Sequence, residues 1–329
     1  MTARATLRYV VSALAAPLVL VALLTPRTAL AAGAADAPPA IRAQMLVDTA
    51  WLEARLDDPG LVVLHVGKSR DLYDHAHVPG ARFAAFGEVA TARGTVPNEM
   101  PSVEELTALV RHFGLAGRAA LLDGQWAAWQ AEGRPVTAEV PAVVASSVVP
   151  RARPERIASL AEVDALSRQL TASPDARVAL VDARPREQFE GAEAGEGVSR
   201  PGHVPGAVDA FWKDDLEAGD VPRLRSADEL RARCAALGVA PDDVVVAYCR
   251  TGVQASYTYF VLAYLGYDVR LYDGSFAEWS AAPGTCGAPR SPARDGRATS
   301  TPLASDAIEK LPGRRAGARS RRSGSTGAA

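Results

Sequence analysis

The chain is poor in cysteine and has almost no surplus of charge, and each shortage excludes a class of protein. Three of its 329 residues are cysteine, and they do not have the paired spacing of a zinc site. The net charge of −2 gives no general basis for binding nucleic acid. The sequence also lacks a phosphate-binding loop and a dinucleotide-binding fingerprint, so we predict neither a metal nor a cofactor.

A long hydrophobic run is missing as well. The longest apolar stretch, Tyr9–Leu24, has 16 residues and contains a serine and a proline, which is short for a stable membrane span. Arg4 and Arg8 precede it and Ala29–Ala31 follow it, the pattern of a secretory signal peptide. We therefore expect residues 1–31 to be a signal peptide, and the protein to be exported to the periplasm or the cell exterior without a stable membrane span. An uncleaved anchor is the alternative.

The other end of the chain has the composition of a disordered segment. Residues 290–329 are rich in Ser, Gly, Ala, Pro and Arg, with few hydrophobic residues. We predict a disordered basic tail there, and weak adhesion to anionic lipid or cell-wall polymer is the alternative to a merely solvated tail. Cys286 precedes this tail and could pair with Cys234 if the protein is exported, but the sequence does not establish such a disulfide.

The remaining cysteine lies in the most informative segment. The β-branched run Val244–Tyr248 is typical of a buried parallel strand and leads directly to Cys249. A short loop containing Gly252 follows, and Ala255–Leu265 is predicted to be a helix that ends at Gly266. A thiol at this turn lies under the first backbone N–H groups of the helix, which favour an anion. The segment is therefore predicted to hold a thiolate, or a sulfur-bearing anion attached to it.

Four motifs occur twice in the same order, which indicates a duplication. The pairs are Leu61–Val66 with Val178–Asp182, His77–Ala81 with His203–Ala207, Ser102–Leu106 with Ser226–Leu230, and Leu122–Trp129 with Tyr272–Trp279. Alternating strands and helices in both copies predict a parallel sheet with helices on both faces. In the second copy, Asp273 and Gly274 indicate a turn before the last helix.

The first copy is shorter than the second. His203 and Asp273 are 70 positions apart, whereas their counterparts His77 and Asp123 are 46 apart. The shortfall of 24 residues falls where the second copy has its cysteine strand, loop and helix. The first copy therefore has no counterpart of Cys249. Either its sheet is remodelled, or it is marginally stable and leans on the second copy.

The loop Cys249–Gln254, together with Tyr272–Trp279, resembles the active-site region of the rhodanese sulfurtransferases. The resemblance implies a tandem arrangement in which an inactive domain precedes an active one. The expected fold class is α/β, with two rhodanese-like domains that are each a parallel sheet flanked by helices, the first one shortened. The expected boundaries are 44–137 for the inactive domain, 138–154 for a linker and 155–283 for the catalytic domain.

The resemblance also implies roles for individual residues. Cys249 would accept a sulfane sulfur as a persulfide and pass it to a thiophilic acceptor such as cyanide or a thiol. Arg184 and Arg250 would bind an anionic donor. The loop of Thr251, Gly252, Val253 and Gln254 would surround the persulfide with backbone N–H groups. His203 occurs in a motif shared with the copy that lacks a cysteine, so we predict a structural role for it.

The sequence is compatible with more than one sulfur donor and has two rival functions. Arg250 favours thiosulfate over mercaptopyruvate, although Thr251 stands where thiosulfate-using relatives tend to have a lysine and Gln254 replaces a threonine. A Cys-dependent phosphatase is disfavoured, because an arginine is expected six residues after the cysteine and position 255 is alanine. A persulfide carrier or a thiol redox sensor would use the same cysteine. A protein acceptor is not identified.

Overall fold

The computed structural model describes residues 40–94, 96–115, 119–173 and 177–285. The predicted signal peptide at 1–31 and the predicted tail at 290–329 lie outside these residues, and so does Cys286. No helix in the described ranges is long and apolar enough to cross a membrane.

The second half contains a four-stranded parallel sheet with helices on both faces. Its strands are β7 (Val178–Asp182), β8 (Ala207–Asp209), β9 (Val244–Tyr248) and β10 (Asp268–Leu271), and its helices are α6 (Leu160–Ala172), α7 (Arg186–Phe189), α8 (Ala227–Ala236), α9 (Val253–Leu265) and α10 (Ser275–Ala281); the 3₁₀ helices Pro154–Arg156 and Trp212–Asp215 also belong to this half. The strand order is β10-β9-β7-β8. This half has the predicted fold class.

Strand β9 is central, and its sequence explains why. Val245 and Ala247 pack into the core on one face of the sheet, and Val246 and Tyr248 pack into the core on the other. Both faces exclude water, so the strand is continuously apolar rather than alternating. The strand therefore delivers Cys249 to the carboxyl edge of the sheet in a fixed position.

Serine capping boxes mark the start of helices α6 and α8. The Ser226 hydroxyl accepts from the Glu229 N–H, and the Glu229 carboxylate accepts from the Ser226 N–H at 3.0 Å, so two orphan donors of α8 are satisfied. Ser102 and Glu105 make the same pair in the first half. The predicted helix Ala255–Leu265 begins two residues earlier, at Val253, because Gly252 is its N-cap residue and the turn leads directly into the helix.

The first half has the same order of motifs but a divided sheet. Its elements are β1 (Leu46–Val47), β2 (Leu64–Gly67), β3 (Arg82–Ala85), β4 (Thr91–Arg93), β5 (Val96–Glu99) and β6 (Leu121–Leu122), with helices α1 (Thr49–Glu53), α2 (Asp71–His75), α3 (Phe86–Val89), α4 (Val103–His112) and α5 (Gln125–Ala131), and a 3₁₀ helix at Ala43–Met45. Among the described residues, β1 pairs with β6 and β2 pairs with β3, both in parallel, and β4 pairs with β5 antiparallel. The counterpart of β9 would stand between these two parallel pairs, so its loss splits the sheet.

The first half closes its core in two ways. Tyr73 and Trp129 are fully buried at its centre, and the Trp129 indole donates to the Pro135 carbonyl at 2.8 Å. Its leading segment also docks on the second half, where the Arg42 N–H donates to the Tyr264 carbonyl at 2.8 Å. Leu46 packs against the core of the second half. The sheet is therefore remodelled, and the first half also contacts the second. Its marginal stability stays a prediction.

Candidate active site

Cys249 lies at the end of β9, and its side chain is enclosed. The residue is 1% exposed. Its N–H donates to the Ser275 hydroxyl oxygen at 3.3 Å, and its carbonyl accepts from the Phe276 N–H at 2.9 Å. These bonds tie the cysteine backbone to the start of α10, so the thiol is held at a defined point of the loop.

The loop after Cys249 has the geometry expected of an anion cradle. Gly252 has φ of 92° and precedes α9, whose first backbone bond runs from the Ser256 N–H to the Gly252 carbonyl at 2.9 Å. Within the described ranges, the N–H groups of residues 250–255 have no hydrogen-bond acceptor, as the first N–H groups of a helix do not. Thr251 is buried, Gln254 is half-buried and Val253 is exposed. The loop that follows the cysteine therefore contains a run of unpaired N–H donors.

Arg184 is wholly buried and paired. Its Nε lies 2.9 Å and its Nη2 lies 2.6 Å from different oxygens of Asp182, and Nη2 also donates to the Gly202 carbonyl at 2.8 Å. Burial disfavours the charged guanidinium, but the Asp182 carboxylate outweighs it and holds the pKa of Arg184 above its usual value, with a smaller contribution from Cys249. The guanidinium carbon stacks 4.0 Å from the centre of the Phe276 ring. Its buried Nη1 has no hydrogen-bond partner in the described residues.

Arg250 points along the rim of the loop. Its Nη1 donates to the Glu196 carbonyl at 2.6 Å. Gln188 lies beside it: a methyl group built on Gly195 would be 3.0 Å from Arg250 Cδ and 3.4 Å from Gln188 Oε1. That Oε1 is buried and has no partner among the described residues. Sequence reasoning did not find Gln188, because a glutamine in a short helix has no distinguishing local pattern.

The hairpin of β4 and β5 brings the first half to the loop that follows Cys249. The Met100 N–H, just after β5, donates to Asp273 Oδ2 at 2.8 Å. A methyl group built on Gly252 would lie 2.9 Å from Asp273 Oδ1 and 3.5 Å from the Asn98 carbonyl oxygen. The cysteine loop is thus covered by Asp273 and by the end of the hairpin, although the first half supplies no nucleophile.

The same contact places carboxylates at the mouth of the loop. Burial raises the pKa of Glu99, and Asp273 and Glu278 raise it further. Burial also raises the pKa of Asp273, against the hydrogen bond from Met100. Sequence reasoning interpreted Asp273 only as a turn residue and missed Glu99, because their proximity depends on two segments 174 positions apart.

The repeated histidines have one geometry in both halves. The His203 ring stacks on Phe189 with centroids 3.8 Å apart, and the His77 ring stacks on Tyr73 at the same distance. In each case Nδ1 bonds to the carbonyl of the stacked residue. This arrangement agrees with the predicted structural role of His203, since the half without a cysteine has it too.

The comparisons with known proteins agree with this geometry. A family model for the rhodanese-like domain matches residues 162–282. Thiosulfate sulfurtransferase from Corynebacterium glutamicum is 34% identical over 274 residues, which cover 72% of this chain and 87% of the relative. Sulfur carrier protein TtuD from Thermus thermophilus is 30% identical over 275 residues, which cover 72% of this chain and 93% of the relative.

Solved structures show the same fold. The anaerobic ergothioneine biosynthesis enzyme from Chlorobium limicola, in complex with trimethyl histidine, matches with a TM-score of 0.65 at 18% identity, over 75% of this chain and 71% of that one. The parallel sheet, with a buried cysteine at the carboxyl end of its central strand β9, places the chain among α/β proteins that carry a cysteine at this edge of the sheet. The chain belongs to the rhodanese family, and it is a sulfurtransferase. The predicted fold class and family are confirmed.

Proposed function

We propose that the protein is a thiosulfate sulfurtransferase that carries the transferred sulfur as a persulfide on Cys249. The position of Cys249 carries this proposal: a buried cysteine ends strand β9 and is followed directly by residues 250–255, whose N–H groups have no acceptor in the described part of the chain. Such groups stabilise a thiolate before transfer and a persulfide anion after it.

The reaction then has two displacement steps. In the first, the Cys249 thiolate attacks the outer sulfur of thiosulfate, the S–S bond breaks, and sulfite leaves with the bonding electron pair. In the second, a nucleophile such as cyanide attacks the outer sulfur of the persulfide. Thiocyanate forms, and the bonding electron pair returns to Cys249 as the thiolate. No net oxidation occurs, so the chemistry of the two steps needs no redox cofactor.

Two cations support an anionic donor. Arg184 has an unpartnered, buried Nη1, and it interacts electrostatically with Cys249. Arg250 lies on the rim, with Nη1 on a carbonyl group rather than on a carboxylate, so its charge is not neutralised by that bond. The 1% exposure of Cys249 supports a small donor and a small acceptor.

The test is turnover of thiosulfate with cyanide, measured as thiocyanate and sulfite, in the wild type and in Cys249→Ser. We expect turnover that disappears in Cys249→Ser, because the serine hydroxyl is not ionised and cannot hold a transferable sulfur. Cys234→Ala is the matched control, since Cys234 is the other free thiol among the described residues and is also buried. Sulfur transfer that persists in Cys249→Ser would refute the mechanism. Mercaptopyruvate, run in parallel, tests the donor.

A second candidate function is a sulfur carrier that delivers its persulfide to a protein partner. The similarity to the sulfur carrier protein of Thermus thermophilus favours it. A carrier would gain the mass of one sulfur atom on Cys249 from thiosulfate but would turn over slowly with cyanide or small thiols. Fast turnover with cyanide would exclude this function as the main one.

We also propose that the protein is exported, and the signal-peptide pattern of residues 1–31 supports this. Cleavage after Ala31 would give a mature protein that begins at Ala32. Intact mass measurement of the protein from cell fractions tests this. A full-length chain confined to the cytoplasm would refute it.

A further inference from the structure

The two halves hold each other through a reciprocal pair of hydrogen bonds. Asp273 of the second half accepts from the Met100 N–H of the first half at 2.8 Å. Asp123 of the first half accepts from the Leu224 N–H of the second half at 2.9 Å. The bonds are of one kind and of nearly equal length, and each joins residues more than 100 positions apart in the chain.

The pairing follows the duplication. Asp123 and Asp273 occupy the same place in the repeated Asp-Gly motif, and Met100 and Leu224 each lie two residues before a capping-box serine. The local turns also match, because Gln125 and Ser275, two residues after the aspartates, both have φ of 53°. A backbone conformation that non-glycine residues rarely adopt is therefore kept in both copies.

Only one of the two aspartates touches a catalytic loop. Asp273 Oδ2 takes the Met100 N–H, while its Oδ1 lies against Gly252, 2.9 Å from a methyl group built there. The first copy lacks the segment that contains Gly252, and Asp123 contacts only Leu224 and, through Oδ2 at 3.6 Å, Nη1 of Arg223 among the described residues of the second half. Asp273 thus links three segments, whereas Asp123 links two.

From this geometry we infer that Asp273 is a positioning residue for sulfur transfer. Asp273 joins the first half to the Cys249 loop and thereby holds that loop in place. The Met100 N–H fixes the carboxylate, and the carboxylate fixes the backbone at Gly252, where the loop turns into α9. The N–H groups that would face the transferred sulfur belong to this same turn, so their orientation depends on the backbone conformation at Gly252. The inference rests on the proposed persulfide chemistry and gives the inactive half a function in it.

The experiment compares Asp273→Ala with Asp123→Ala in the full chain. Asp273→Ala loses the bond from Met100, whereas Asp123→Ala loses both the bond from Leu224 and an ion pair with Arg223. Asp123→Ala should therefore lower the melting temperature at least as much as Asp273→Ala. We expect Asp273→Ala alone to lower kcat for thiosulfate, by about tenfold, because small displacements of a catalytic loop have large effects on rate. Asp123→Ala should stay within about twofold of the wild type. Asp273→Asn keeps an oxygen acceptor and should recover most of the lost rate.

A second arm tests the contact with Gly252 directly. Gly252→Ala should impair the wild type strongly, because the added methyl meets Asp273 Oδ1 at 2.9 Å and the residue has φ of 92°. In the Asp273→Ala background part of that cost should disappear, whereas in the Asp123→Ala background it should remain whole. Such non-additivity is the signature of two groups in contact.

The outcomes separate this inference from the proposed function. Alkylation of Cys249 by iodoacetamide reports loop geometry without sulfur transfer, and we expect its rate to change in Asp273→Ala but not in Asp123→Ala. Equal rates of alkylation and equal kcat values in the two variants would overturn the inference. A wild type that forms no persulfide would overturn the proposed function instead, and the alkylation rates would still decide the role of Asp273.

Discussion

At the carboxyl end of its first strand, the second half carries a buried ion pair, whereas the first half carries a histidine and a glycine. The strand registers establish the equivalence. Arg82 and Val208 each follow the repeated His-Val-Pro-Gly-Ala motif, and they pair with Leu64 and Val181. One residue further along each strand, His65 therefore occupies the place of Asp182.

The surroundings of these two positions also differ, because His65 lies among aromatic rings and Asp182 lies in a buried ion pair. The His65 ring lies among aromatic rings, 5.5 Å from Tyr73 and 6.0 Å from Trp126, and burial lowers its pKa. Asp182 instead holds Arg184 with both side chains fully buried. A half that lost its cysteine strand also has no charged pair at this point, and it fills the space with rings. Among the described residues, the buried Asp182–Arg184 pair is thus present in the half that contains Cys249 and has no equivalent in the other half.

The largest expected effect comes from removing the cation of that pair. Arg184→Ala leaves the Asp182 carboxylate buried without its partner, so we expect a loss of about 3–5 kcal/mol in the free energy of unfolding. Urea denaturation measures it. Arg186→Ala is the matched control, because Arg186 is 72% exposed and its ion pairs with Glu190 and Asp209 should together contribute no more than about 1 kcal/mol. Equal stabilities of the two variants would show that the buried pair is not structural.

A smaller difference is expected in local opening. In the described part of the chain β2 has a partner strand on one side only, whereas β9 has one on each side. Isolated two-stranded sheets are marginal, so amide hydrogens of Leu64–Gly67 should exchange at least about tenfold faster than those of Val245–Ala247. Hydrogen-exchange mass spectrometry checks this. Equal protection would mean that the halves open only together, and that docking fully compensates for the lost strand.

The smallest expected effect concerns the charge that the first half brings to the mouth. Glu99→Gln removes a carboxylate from the rim, so the KM for thiosulfate should fall by about twofold to threefold at low ionic strength. The pKa of Glu99 is raised, chiefly by burial, so its proton is lost above the usual range of a glutamate. The KM of the wild type for thiosulfate should therefore rise as the pH rises above the usual pKa range of a glutamate, because Glu99 then becomes charged and repels the anionic donor. The KM of Glu99→Gln should rise less.

Glu104→Gln controls for net charge, because Glu104 is exposed on the first turn of α4. It should leave the KM and its pH dependence unchanged. If both variants lowered the KM equally, the effect would reflect the overall charge of the protein rather than the mouth of the site.

The local features of the site could be predicted from the sequence. A β-branched run, a cysteine, a glycine and an apolar segment ended by Gly266 predicted a strand, a turn and a helix, and β9, Gly252 and α9 follow in that order. The helix ends as predicted, with Gly266 at φ of 95° as its cap. These signals are local, because backbone propensity and side-chain periodicity act over a few residues. The four repeated motifs and the shorter spacing in the first copy can also be read from the sequence, since they need only a comparison of the chain with itself.

Tertiary structure alone decided what surrounds the cysteine. The sequence indicated Arg184 as a donor-binding cation, but only the fold shows that most of its donors are used by Asp182 and by the Gly202 carbonyl. The sequence likewise marked Asp273 as a turn residue, while its contact with Met100 spans 173 positions. Such contacts depend on how the two halves dock, and docking is determined by the packing of the whole surface, which no local pattern encodes.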